Sequence, residues 1–204
     1  MGSILIISLA LALATYGIAA QRGANLVKLD KNTLIMTVVW GALELVAALA
    51  GYGTGRWILT REAELARKIA LAKESVLANR VLAEPSVFWV HVLAGLLLAA
   101  VGLRMILQAL KMKTLLEHRM ETVDIRADVL LSLRLCAQAL FLGITCGLLT
   151  VSMPLFLLSV FVFSAVFAGI GYVSGRANGA LFADQAVGIG GGLLCVLGIV
   201  LQIA

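Results

Sequence analysis

The 204-residue sequence predicts an all-α polytopic membrane protein. It has six transmembrane helices in two inverted three-helix repeats, plus one amphipathic helix between the second and third spans. Three observations lead there. The chain is 62% hydrophobic and only 13% charged, with a mean hydropathy of +1.06. A soluble fold of this length cannot hide that much apolar surface, so lipid is the solvent. Most of its apolar runs reach the roughly 20 residues that cross a hydrocarbon layer about 30 Å thick. The third observation is a repeat written in glycines. Gly51-Tyr52-Gly53-Thr54-Gly55-Arg56 ends one run and Gly171-Tyr172-Val173-Ser174-Gly175-Arg176 ends another. Each is followed by a later run with glycines seven apart, Gly95 and Gly102 in the first half, Gly191 and Gly198 in the second. Three spans per half is an odd number, so the halves enter the membrane in opposite directions, as in several secondary transporters.

The spans fall at about 4–21, 33–55, 87–110, 129–149, 154–175 and 186–204. They are helices because an isolated span must satisfy its own backbone hydrogen bonds, and the alternation of a membrane barrel is missing. The first begins Met1-Gly2-Ser3 without the charged leader of a signal peptide, so it is expected to stay as a span. In the second, Gly41, Ala48, Gly51 and Gly55 lie near one face, which allows close helix approach. Glu44 shares that face and is expected to point into the bundle.

The stretch from Thr60 to Glu84 is rich in helix formers, with Leu65, Ile69, Ala72 and Val76 at helical spacing and Pro85 as its stop. It reads as an amphipathic helix on the membrane surface or as an extension of the second span. Its role is a solvated connector or a docking face, through 60–84, for a second copy or a partner membrane protein. The connection from Arg176 to Ala186 has no counterpart. The organisation is therefore one membrane domain over 1–204. The first repeat takes 1–59 and 87–110, the insert 60–86, and the second repeat 129–204. The last span crowds Gly188, Gly190, Gly191, Gly192 and Gly198, which read as packing residues or as a loosened stretch of helix. Gly51, Gly55, Gly171, Gly175, Gly191 and Gly198 are the expected packing contacts.

The net charge of +5 is spread over short connections, where it sets topology instead of binding nucleic acid. One face carries Arg22, Lys28, Lys31, Lys111, Lys113, Arg119, Arg126 and Arg176. The other carries Arg56, Arg61, Arg67, Lys68, Lys73 and Arg80. The excess places both termini outside the cytosol. Cys136, Cys146 and Cys195 fall inside spans without metal spacing and read as small packing residues. No zinc motif, nucleophile elbow, Walker loop or paired catalytic carboxylates are found, so an enzyme is not expected.

Ionisable and polar groups within spans point to function, because burying them in lipid is costly. Glu44 is a cation ligand or proton carrier, with Gln138 and Thr145 lining the path, or it is held in an internal ion pair by Arg104 or Arg134. Those arginines alternatively attract an anionic solute. Arg104 lies seven residues before Lys111 and is expected to snorkel to the interface. His91, with no second ligand at metal spacing, reads as interfacial.

Taken together the motifs resemble the MntP-type manganese efflux pumps, six-span proteins of bacterial inner membranes related to the LysE-type exporters. The resemblance is carried by Gly41-Ala42-Leu43-Glu44, Gly51 to Gly55 and Gly102-Leu103-Arg104-Met105-Ile106. It continues in Gln138 to Ile144, Gly171, Gly175, Gly191-Gly192-Leu193-Leu194 and Gly198 to Gln202. It implies a multi-pass inner (plasma) membrane exporter with no resident cofactor and Mn²⁺ as cargo, driven by a gradient since no energy-converting motif is present. Metal contacts then fall on Glu44, Gln138 and Thr145. The sequence departs from the family in its carboxylates. The family's first-span aspartate falls on Ala14, or on Ala12 if the internal repeat sets the register. Its fourth-span aspartate falls on Gln138, and a late third-span acid on Gln108. Three readings follow: a manganese-type cation exporter, a transporter of a less positive or anionic solute, or a non-transporting accessory subunit.

Overall fold

The computed structural model describes residues 2–25, 31–72, 76–112 and 125–203; within these, side chains are described except at 3, 32, 62, 65–89, 111–112, 125–131 and 202–203. Six helices follow in order: α1 (Gly2–Asn25), α2 (Lys31–Ala72), α3 (Val76–Met112), α4 (Ile125–Leu148), α5 (Met153–Asn178) and α6 (Ala183–Ile203). No strand occurs among the described residues. Five helices contain stretches long and apolar enough to cross a membrane: Ile4–Asn25, Thr33–Arg61, Val90–Leu110, Met153–Asn178 and Ala183–Leu201. The corresponding stretch of α4, Ser132–Leu148, is shorter, within a helix of 24 residues. The protein is a multi-pass membrane protein. Leu34, Leu133, Leu158 and Val196 are exposed on its outer surface, where lipid tails replace water as the neighbour.

The insert is helical and takes the form of extensions. α2 runs on from its apolar stretch to Ala72, and Val76 opens α3. Residues 73–75 lie outside the described residues, as do the side chains of Leu65, Ile69, Ala72 and Val76. The expected apolar face and its docking role therefore fall there too. Lys28, Lys73, Lys113 and Arg119 of the connections are likewise outside. Pro85 sits inside α3 and does not stop it. A proline removes one backbone donor and crowds the preceding turn, and here a helix of 37 residues carries it.

Glycine sets how the helices pair. α1 runs parallel to α5, and α2 runs parallel to α4. A Cβ on Gly171 would meet the Tyr16 carbonyl oxygen, and one on Gly175 the Ala20 carbonyl oxygen. In the other half a Cβ on Gly51 would meet the Leu140 oxygen, and one on Gly55 the Ile144 oxygen. Gly23 stands against the Tyr172 oxygen as Gly147 stands against that of Tyr52. α3 and α6 pack antiparallel. A Cβ on Gly191 would lie 2.6 Å from the Gly102 oxygen, and one on Gly198 would lie 2.7 Å from the Gly95 oxygen. Each contact has its mate in the opposite half, so the packing itself repeats. No side chain fits at these points, which is why the two glycine signatures recur.

The core between these pairs holds Leu11, Leu98, Met105, Leu142, Phe156 and Leu194, all fully buried. The α4–α5 turn puts Thr150 at φ 52, a left-handed conformation that a β-branched residue rarely adopts. Tyr52 donates its hydroxyl hydrogen to the Val151 carbonyl at 2.7 Å and ties this turn to α2.

Candidate functional site

Glu44 lies on the small-residue face of α2, at the crossing with α5. Beside it Gly41 lets α2 approach the Phe161 carbonyl and Ala165 at about the closest spacing a Cβ would allow, 3.3 Å. That close approach buries the carboxylate: Glu44 is only 1% exposed. Two hydroxyls serve it. Thr15 of α1 donates to Oε1 at 2.7 Å, and Ser164 of α5 donates to Oε2. Both are completely buried. A carboxylate in an apolar bundle needs such donors, since each unmet lone pair costs desolvation energy.

The Thr15 hydroxyl also stands 3.1 Å from the Leu11 carbonyl oxygen. It carries one hydrogen and two lone pairs. With Glu44 ionised, that hydrogen points to Oε1. With Glu44 protonated, the carboxyl donates to Thr15 and Thr15 donates on to Leu11. Both protonation states are hydrogen-bonded without moving a heavy atom.

Neither arginine joins this group. Arg104 and Arg134 are both exposed on the outer surface of the bundle, whereas Glu44 faces inward. Arg134, Gln138 and Thr145, the polar residues of α4 at i, i+4 and i+11, divide for the same reason. Arg134 turns outward, while Gln138 and Thr145 are buried. Gln138 donates from Nε2 to Oε1 of Gln108 on α3 at 3.3 Å, and its own Oε1 is buried without a partner. Thr145 donates to the Phe141 carbonyl of its own helix at 3.1 Å. Thr145 is two turns from Gln138, about 10 Å along the axis. The structure thus brings Gln138 and Gln108 together and places Glu44 in a separate hydroxyl cluster. His91 is exposed near the start of the third apolar stretch. Among the described residues no three His, Cys, Asp or Glu side chains come together as a metal cluster.

Thr15 and Ser164 were not singled out by the sequence. Ser164 carried a signal, since the glycine repeat that aligns Gly51 with Gly171 aligns Glu44 with Ser164. Thr15 carried none beyond being polar in an apolar run.

A family model described as "Putative manganese efflux pump" (Mntp) matches residues 76–201, more than half of the chain. The chain belongs to this family. A curated relative from Methanobrevibacter smithii, named "Putative manganese efflux pump MntP", is 25% identical over 198 residues, covering 97% of this chain and 94% of its own. No solved structure matches the chain. The MntP family is described by a pump, not by an enzyme.

The structure also decides a register that MntP membership makes pertinent. The packing mates Tyr16 and Leu140, Ala20 and Ile144, and Gly23 and Gly147 share one spacing between α1 and α4. The same spacing pairs Gln138 with Ala14, not with Ala12. Ala14 is 2% exposed and adjoins Thr15, so the first-span position faces the core. Ser8 and Ser132 obey the same spacing, and both are buried.

Proposed function

We propose that the protein exports a divalent cation of the manganese type across the plasma membrane, driven by an ion gradient, with Glu44 as the group that exchanges a proton for the cargo. The observation that carries this reading is the buried Glu44 carboxylate at the α2–α5 crossing, held by hydroxyls in a bundle of the MntP family. Manganese is a hard ion that takes oxygen ligands. Glu44, Thr15 and Ser164 offer such oxygens at one point, and the spare Gln138 carbonyl oxygen and the Thr145 hydroxyl offer two more along α4. One carboxylate is a weak counter-charge for a doubly positive ion, so the ion meets Glu44 only after the proton has left. Glu44 is closed to both sides, and loading it requires α2 and α5 to part, as alternating access demands.

The anionic-solute reading loses its contacts, since Arg104 and Arg134 face outward instead of lining the centre. The accessory reading calls for a dry Glu44–arginine pair in a filled centre; Glu44 is dry and the centre is filled, but hydroxyls bond the carboxylate where an arginine was expected.

The test is expression in a bacterium lacking its own manganese exporter, under a manganese load, with cellular manganese and growth as the readouts. The expected result is rescue with lowered cell manganese, lost in Glu44→Gln. Wild-type protein in the membrane without any change in cell manganese overturns the proposal.

A further inference from the structure

The outer surface between α2 and α5 carries a second feature, unrelated to Glu44. A groove of about 690 Å³ is lined by Lys31, Thr33, Leu34 and Thr37 of α2 and by Gly169 and Val173 of α5. Its volume lies within the range of small-molecule sites, roughly 300–1,000 Å³. Gly169 opens it, because a side chain there would reach only the Thr37 methyl, at 4.0 Å. Leu34 and Val173 are exposed along its lips, so it opens sideways into the lipid tails.

One end of this groove is chemically different. Thr33 is 4% exposed, and its hydroxyl is buried without a hydrogen-bond partner. Lys31 is exposed at the first turn of α2. Arg176 is exposed in the last turn of α5, one turn beyond Val173. Lys31 lines the groove and Arg176 follows the lining residue Val173 by three positions, so both cations lie toward the end at which α2's amide dipoles also point. An apolar trough about 9 Å long between Lys31 and Thr37, a lone buried hydroxyl near its head and two cations at its rim match one molecule. We propose that this groove binds an anionic phospholipid. One acyl chain lies between Leu34 and Val173, an ester carbonyl oxygen accepts from Thr33, and the phosphate sits between Lys31 and Arg176.

Native mass spectrometry of the full chain in mild detergent tests this, with phosphatidylglycerol and phosphatidylcholine of identical acyl chains as probes. The expected result is one phosphatidylglycerol retained per chain. Lys31→Gln and Arg176→Gln each weaken its retention about fivefold, the worth of one basic residue at an anionic lipid surface, and leave phosphatidylcholine unchanged. Val173→Trp fills the trough and removes phosphatidylglycerol while the helical circular dichroism stays intact. Gly169→Val, which fills the trough from its floor, gives the same loss. Equal retention of the two lipids overturns the proposal, as does unchanged phosphatidylglycerol binding in the Lys31→Gln/Arg176→Gln double variant. Inorganic phosphate alone competing at the same site shows a free-anion site and also overturns it.

Discussion

Glu44 and Ser164, 120 positions apart in sequence, meet where α2 crosses α5, the serine hydroxyl donating to Oε2 of the carboxylate. They are the same position of the two repeats. The contact therefore lies on the pseudo-two-fold axis that relates the halves, with a charge on one side and a hydroxyl on the other. Such an axis is where inverted-repeat transporters place their sites.

Removing the hydroxyl should expose the dependence of the carboxylate on it. Ser164→Ala leaves a buried oxygen unpaired, a loss of about 1–3 kcal/mol. Thermal unfolding in detergent should show a lower midpoint, and manganese export should fall. An unchanged midpoint would mean that Glu44 does not rely on Ser164 in the folded bundle.

The register between α1 and α4 makes a gain-of-function test available. Ala14→Asp combined with Gln138→Asp puts carboxylates at the two mated positions that the family resemblance assigns to aspartate. Two more hard oxygen donors should strengthen manganese export beyond the wild type in the same cell assay. Ala12→Asp with Gln138→Asp should not, because Ala12 is not the mate of Gln138. Equal gain from both pairs would refute the register.

The glycine contacts separate into tight and open positions, and substitutions should follow that division. Gly175→Ala and Gly55→Ala force a methyl into a backbone carbonyl of the neighbouring helix. Overpacking of this kind costs about 1–3 kcal/mol or more. A methyl added at Gly53 or Gly192 would meet nothing within 4 Å. Gly53→Ala and Gly192→Ala should therefore leave the melting temperature within about a degree or two of wild type, since surface changes cost about 0.5 kcal/mol or less. The yield and melting temperature of purified protein check both halves of the statement.

Thr150 at φ 52 stores backbone strain at the α4–α5 turn. Thr150→Gly removes the Cβ that opposes this conformation and should raise stability by up to about 1 kcal/mol. A lowered melting temperature would show that the threonine side chain makes a compensating contact.

Much of the fold was legible because lipid imposes simple rules. Apolar runs of membrane length had to be helices, and repeated glycines had to mark repeated close contacts, since nothing larger fits between backbones. Gly51, Gly55, Gly171 and Gly175 all sit at such contacts. The inward face of Glu44 could also be read, because it shares the small-residue face of α2. The extent of the insert's helices was harder to read, since a lone proline such as Pro85 is tolerated within a long helix.

By itself the sequence determined the solvent, the six apolar helical runs, the glycine pairing signal and one intramembrane acid. These depend on composition and on spacing along one chain. Tertiary structure alone decided the partners of that acid: Thr15 and Ser164 in place of Arg104 and Arg134. It also decided the mating of Ala14 with Gln138 and the pairing of Gln138 with Gln108. The rotation of each helix about its axis is fixed by neighbours from the other half of the chain. A turn of some tens of degrees sends Arg134 to the outer surface while Gln138, one turn away, stays inside.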